Sequence, residues 1–192
     1  QSYEGSDDAF EWFGGTVNAK YLVAFNGSSS VGDDIFDWTE GWNGTGEYWY
    51  GKRTNAGNRG IEADNNSNNH TATPISNPTL RNITLIGNGD TGSEPQAIKL
   101  RVGTNVNFDN LVLSNWKTGF DIQHNESLGF VTSGSLKATN VKFENVTTKS
   151  KGTDTAGAAV DVTSVYTENA NATGAGNGTG VPNWATGWTK GL

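Results

Sequence analysis

The chain is 192 residues long, enough for one domain, and carries 20 acidic against 13 basic side chains for a net charge of -7. That balance excludes a nucleic-acid partner, because no basic stripe is present to neutralise phosphates. The absence of cysteine excludes a disulfide framework and a thiolate metal site, and no apolar run approaches the ~20 residues of a membrane span.

Only 33% of the residues are hydrophobic, yet 26 glycines and many Asn and Thr are interspersed with short runs of Val, Ile, Leu, Phe and Tyr. Such a composition describes a thin core with many turns rather than a disordered chain. In chain order, Ala9-Phe10-Glu11-Trp12 begins a pattern in which an apolar residue precedes a charged one. It returns as Ile35-Phe36-Asp37-Trp38, Gly60-Ile61-Glu62-Ala63, Ala97-Ile98-Lys99-Leu100, Gly119-Phe120-Asp121-Ile122 and Ala159-Val160-Asp161-Val162. Second predicted strands follow most of these, over 20–25, 46–50, 82–86, 110–113 and 140–143. Their alternation has period two: Ile83 and Leu85, then Val141 and Phe143, share one face, while Thr84 and Lys142 take the other. The stretches 65–77, 87–95, 124–134 and 147–158, rich in Gly, Ser, Thr, Asn or Asp, read as loop insertions. No segment holds a 3.6-residue period with caps, so almost no helix is expected.

Repeats of roughly 22 to 40 residues with insertions at the loops specify a solenoid. The expected fold is all-β: a right-handed parallel β-helix of about six coils, with little or no α-helix, in one domain over 1–192. A β-sandwich with hairpin turns at the Asn and Gly clusters is the alternative. In the solenoid, Asn82, Asn110 and Asn140 take equivalent places just before the second strand. Stacked at about 4.7–4.9 Å, their amides would form a ladder at a buried turn.

The stretches SDDAFEWFGGTVNAKYLVAFNG, GDDIFDWTEGW, GNRGIEADNN, SNPTLRNITLIGN, IKLRVGTN and WATGWTKGL resemble secreted, surface-exposed β-helix proteins of Bacteroidota-like and marine bacteria. The resemblance covers residues 3 to about 122 and the chain's last stretch, and its motifs are tied to no activity. It implies a secreted, extracellular protein of the cell surface. It also implies further coils ahead of Tyr3, which would make a chain starting at Gln1 the C-terminal part of a longer solenoid or one subunit of a stacked assembly. An uncovered first coil would expose unpaired backbone groups and an apolar cross-section. Self-association or an upstream segment is therefore expected at the N-terminal coil, with filaments as one outcome. Trp184 and Trp188 are expected to cap the last coil.

Glu11, Asp37, Glu62, Asp121 and Asp161 share one outward register, interrupted by Lys99, with Asp7-Asp8 and Asp33-Asp34 beside it. Like charges one strand apart must be paired, screened or bridged by a cation. Oxygen-rich loops suit Ca2+, and the candidate ligands are Asp8, Asp34, Asp37, Glu62 and Asp64. Neutralisation by Lys52, Arg53, Arg59, Lys99 and Arg101, or by water, is the alternative. Neither an EF-hand loop nor a calcium-binding nonapeptide run is present. Among the aromatic residues, Trp12 and Trp38 read as core, whereas Trp42, Trp49 and Tyr48 are candidates for an outward glycan-binding surface on which sugar rings stack. His70 and His124 read as solvated loop residues.

Polysaccharide lyases and hydrolases with β-helix folds use paired carboxylates, calcium and a basic residue. Arg53, Arg59, Lys99 or Arg101 with Asp37, Glu62 or Asp64 would be the counterparts. Likeness of fold does not establish activity, and no Gly-x-Ser-x-Gly elbow, phosphate loop or His-Glu-x-x-His helix is present. No catalytic residue is assigned on this reading. The leading expectation is a noncatalytic extracellular scaffold or adhesion module. A carbohydrate-active enzyme or carbohydrate-binding module is the alternative.

Overall fold

The structure, a computed structural model, describes residues 1–28, 32–54 and 57–192. Its first strands are β1 (Ser2–Tyr3), β2 (Phe10–Phe13), β3 (Ala19–Asn26), β4 (Phe36–Thr39), β5 (Thr45–Arg53) and β6 (Ile61–Ala63). They are followed by β7 (Thr79–Gly89), β8 (Gln96–Leu100), β9 (Asn107–Gln123), the helix α1 (Asn125–Ser133), β10 (Lys137–Thr153), β11 (Ala159–Val160) and β12 (Tyr166–Glu168). Strands β2, β4, β6 and β8 stack in parallel as one ladder, and β1, β3, β5 and β7 as a second. The long strands β9 and β10 bend through both: the first half of each extends the second ladder, and the second half extends the first. β12 continues the second ladder, while β11 folds back antiparallel on the end of β10. The chain is thus a parallel β-helix, with six rungs on its first ladder among the described residues, and the sandwich is excluded because only β11 pairs antiparallel among them. Among the described residues no helix is long and apolar enough to cross a membrane.

Alternation fills the interior. Phe36 and Trp38, Ile61 and Ala63, and Ile98 and Leu100 point inward and are buried, so the residue between each pair points out. Trp12 stacks on Trp42 at 4.8 Å and on Trp49 at 4.9 Å, and Phe36 lies 4.7 Å from Trp49. Trp42 and Trp49 are 0% exposed, which corrects their expected place on a glycan-binding surface. They are buried because each indole N–H finds an acceptor inside: Trp42 Nε1 donates to the Val17 carbonyl at 3.0 Å and Trp49 Nε1 to the Ala19 carbonyl at 3.1 Å. Gly44 and Gly46 make the room, since a Cβ at Gly46 would fall 2.4 Å from the Trp49 ring.

The corner within the second ladder is a file of left-handed residues: Tyr21 (φ 59), Tyr48 (φ 57), Asn82 (φ 61), Asn110 (φ 58) and Asn140 (φ 56). Asn tolerates this conformation because its short amide bonds locally. Asn110 Nδ2 donates to Asn82 Oδ1 at 2.8 Å, but Asn140 Nδ2 donates to Asp109 Oδ1 instead and joins Asn169 on its far side at 3.0 Å. The amides are therefore linked in part, at a corner that is half-buried at Asn82 and Asn110 and exposed at Asn140, not at a buried turn. At the first two positions of the file, Tyr21 and Tyr48 stack at 5.2 Å.

Two further features depart from expectation. The stretch 124–134, read as a loop, contains α1, which buries Ser127, Leu128 and Val131 and ends at Gly134 in the left-handed conformation (φ 75). The segment after β12 does not cap the last coil. It runs back along the outside of the second ladder as a strap: Thr173 and Gly174 bond Asn110, Ala175 and Gly178 bond Thr84, Thr179 accepts from Tyr50, and Trp184 lies 5.1 Å from Tyr21. It ends at the opposite end of the solenoid, where Lys190 and Gln1 exchange two hydrogen bonds. Trp184 and Trp188 therefore sit beside the first coil, because the strap has acceptors and donors to follow along the whole ladder.

Candidate functional site

The outward residues of the first ladder form one file, Glu11, Asp37, Glu62, Lys99, Asp121 and Lys151, in register from rung to rung. Asp161 is not in it: the antiparallel turn into β11 places Lys151 on the sixth rung and leaves Asp161 exposed elsewhere. The loops entering the ladder bring Asp8, Asp34, Arg59 and Glu94 to one side of the file, and the loops leaving it bring Asp64 and Arg101 to the other.

The cations are gathered at one part of the file. Arg59 Nη1 lies 3.0 Å from Glu62 Oε1 and 3.5 Å from Asp34 Oδ2, and its Nη2 meets Glu94 Oε2. Arg101 Nη2 is 2.7 Å from Glu62 Oε1, and its Nε donates to Asp64 Oδ1 at 2.8 Å. The contacts on Glu62 Oε1 are ion pairs without the alignment of a hydrogen bond. Lys99 pairs with Asp121 at 2.8 Å, both side chains nearly sealed from solvent. Of the other expected counter-ions, Lys52 lies on β5 in the second ladder, and the buried Arg53 donates to the Asp33 carbonyl at 2.8 Å.

Towards the first coil the file has no such partner among the described residues. Asp8, Glu11 and Asp37 place carboxylate oxygens within 4.8 Å of one another, as do Asp34, Asp37 and Glu62, and as do Asp7, Asp8 and Asp33. Asp8 Oδ1 accepts the Asp34 N–H at 2.8 Å, and Asp34 Oδ1 accepts the Arg59 N–H at 2.6 Å. Asp37 has neither a hydrogen bond nor an ion pair among the described residues. Burial, followed by the charges of Asp8, Glu62 and Asp34, pushes its carboxyl up to about 9. Burial raises Asp8 to about 6, Asp34 to about 6 and Glu62 to about 7, against the opposing pull of Arg59 at Asp34 and of Arg101 and Arg59 at Glu62, and it raises Glu11 as well. Burial and mutual repulsion thus oppose full ionisation of the cluster at neutral pH.

The residues fit a hard divalent cation on one side only. Oxygen-only donors suit Ca2+, which takes six to eight ligands, and Asp8 and Asp37 of the expected set, joined by Glu11, offer three carboxyls without a guanidinium against them. Asp34 and Glu62 share a trio with Asp37 but are also held by Arg59, and Asp64 belongs to no such trio among the described residues because Arg101 claims it. Glu11 was legible as part of the file but not as a ligand, and Glu94 gave no signal because it falls ahead of Gln96, the position in register with Asp8, Asp34 and Arg59.

His70 and His124 are not isolated. Their rings lie 4.9 Å apart, His70 Nδ1 bonds Glu126 Oε2 at 2.9 Å, and His124 Nδ1 accepts the Val102 N–H at 3.1 Å. His124 is thereby fixed as the neutral tautomer carrying its proton on Nε2, and burial and the neighbouring His70 lower its pKa. Of the expected aromatic surface, Tyr48 remains partly exposed, against Tyr21.

A family model described as "Pectate-lyase like beta helix domain" matches residues 1–189. No curated protein and no solved structure matches the chain.

Proposed function

Because the chain belongs to the family of pectate-lyase-like β-helix domains, we propose that it is a carbohydrate-active protein that holds a polysaccharide along the charged file of its first ladder. The observation that carries this reading is the trio Asp8, Glu11 and Asp37, whose carboxyls converge within 4.8 Å with no cationic side chain among the described residues paired to them. Like charges so placed cost free energy unless a proton or a cation joins them. Natural chains retain such arrangements at functional sites.

Two uses of the trio follow from its chemistry. Asp8, Glu11 and Asp37 would hold a Ca2+ ion, which would supply positive charge for the acidic or hydroxyl groups of a sugar. Without a cation, burial and the neighbouring carboxylates keep the proton on Asp37 at neutral pH, and a carboxylic acid held protonated in this way has the chemistry of a general acid towards a glycosidic oxygen. Arg101, a third exposed and anchored by Asp64, supplies a positive charge to orient a substrate acid group. Reducing-end and unsaturated-product assays on neutral and acidic polysaccharides, with and without Ca2+, test the reading. Turnover or binding that disappears in Asp37→Asn supports it, and a chain inert towards every polysaccharide, with calorimetry showing no Ca2+ binding, overturns it.

A noncatalytic scaffold or adhesion module of the cell surface, secreted and assembling end to end, is favoured by a separate observation. β2 is the terminal strand of the sheet, and Phe13 and Val17 beside it are 67% and 62% exposed. Association through this coil is read by light scattering: a concentration-dependent mass lost in Phe13→Lys supports it, and a monomer at every concentration removes it.

A further inference from the structure

We propose that a second, uncharged groove, at the turn leading from the first ladder to the second, binds a neutral oligosaccharide segment lying along the solenoid axis. The proposal takes its ligand class from the carbohydrate reading above but places it on a different surface, and the two fail separately in the test below.

The groove encloses ≈ 510 Å³, within the range of small-molecule sites. It is lined in succession by Thr16 of the first coil, Asn43 of the second, Ile75 and Asn77 of the third, Asn105 of the next and Phe130 of α1. Successive coils are one strand spacing apart, about 4.8 Å, a repeat close to the length of one pyranose unit in an extended chain. A linear glycan running along the axis would meet one set of lining residues per sugar. Among the described residues no charged side chain lines the groove, in contrast to the carboxylate file, so its complement is a neutral chain.

Its chemistry is that of a sugar site. Phe130 and Ile75 give an apolar wall for the C–H faces of the rings, and amides and a hydroxyl surround it. Among the described residues the side chains of Thr16 and Asn77 have no hydrogen-bond partner, so their polar atoms are available to sugar hydroxyls. Asn43 is fixed in place, its Nδ2 donating to the Gly41 and Ile75 carbonyls at 2.8 Å each, which leaves its Oδ1 as an acceptor. Gly41 keeps the turn narrow beneath it: a Cβ there would lie 2.3 Å from the Pro74 carbonyl oxygen, and its φ of +81 favours glycine. Asn43 and the turn beneath it are therefore held in shape before any ligand arrives, which lowers the entropy lost on binding at that point.

The experiment is calorimetric and NMR titration of the full chain with cellotetraose, xylotetraose, mannotetraose and laminaritetraose, using a tetragalacturonate and a tetra-alanine peptide as contrasting probes. Saturable binding of at least one neutral tetrasaccharide is expected, weakened tenfold or more by Phe130→Ala and by Asn77→Ala and unchanged by Asp37→Asn or by chelator. Asn77 is exposed, so its variant reports on binding even where Phe130→Ala disturbs α1. Failure of every neutral tetrasaccharide at millimolar concentration, binding of the peptide alone, or binding lost in Asp37→Asn but kept in both groove variants overturns the proposal. Binding that depends on the groove, in a chain whose carboxylate file is inert, would leave this site standing and remove only the first reading.

Discussion

Thr84→Val is the sharpest test of the strap. Thr84 is 0% exposed, and its Oγ1 accepts the Ala175 N–H at 2.9 Å while donating to the Gly178 carbonyl at 3.0 Å. Valine keeps the shape and removes both bonds. One lost hydrogen bond costs about 1 kcal/mol net, and a buried donor left without a partner costs about 1–3 kcal/mol more. Ala175 is itself fully buried, so its N–H has no water to turn to. The expected loss is roughly 2–4 kcal/mol, felt by the strap before the coils, because the backbone pairing of β7 with β5 and β9 is untouched. Native-state hydrogen exchange should show the Ala175 and Gly174 amides losing protection by a factor of about 30 or more, since each 1.4 kcal/mol is tenfold, while amides of β5, β7 and β9 lose far less. Unchanged exchange at Ala175, or an equal loss through all strands, would refute the view that the segment is held locally by Thr84.

Three other outcomes follow from the charges. Asp37 keeps its proton up to about 9 in the fold and releases it near 3.8 in the open chain, so the folded state binds more protons across that window and stability falls as pH rises through it, by up to about 1.4 kcal/mol per pH unit for each such proton. Urea midpoints in EDTA at pH 5, 7 and 9 should decline, with Asp8, Asp34 and Glu62 adding to the fall at its lower end, and Asp37→Asn should flatten the curve; midpoints that climb with pH contradict the account. Ca2+ at pH 8 should raise the melting temperature and release protons, read as calorimetric heats that differ between buffers of different ionisation enthalpy, and equal heats in all buffers would count against a cation replacing those protons. His124 is shifted the other way for a base: burial and His70 lower its pKa below 6.5, so docking of α1 is favoured above that value and lost as pH falls below it. Asp64, Glu126 and Arg101 also face it, and exchange at the α1 amides should quicken on acidification in the wild type but not in His124→Asn.

The solenoid was legible because its repeat is written in alternation, and alternation survives unequal loops. Phe10, Phe36, Ile61, Ile98 and Phe120 fall on successive rungs although the chain between them varies in length. The charged file followed from the same register up to Asp121. It failed at Asp161 because β11 turns antiparallel, and nothing in Ala159-Val160 separates that strand from a parallel one. The strap left no periodic trace either. Its fixed points are side-chain bonds to Asn110, Thr84 and Tyr50, residues that alternation could place but not pair.

The aromatic surface was misplaced for a reason that the corner of the second ladder makes plain. A left-handed residue reverses the strand's direction of bend, so the faces assigned on one side of it do not carry over to the other. Where that residue is Asn, as at Asn82, Asn110 and Asn140, its type announces the corner, and the strand after it was assigned to the right face. Where it is Tyr, as at Tyr21 and Tyr48, nothing announces it, since a side chain of that size costs about 1–2 kcal/mol in the left-handed region. The 5.2 Å stack of the two rings, with Lys20 over both and Trp184 against Tyr21, offsets that cost in the fold and is invisible in the chain. Trp49, one residue beyond Tyr48, consequently turns inward to meet Trp12 and Phe36. The indoles of Trp38, Trp42 and Trp49 are thereby spent on the core, so any sugar-binding role for the chain passes to the carboxylate file and the uncharged groove rather than to them.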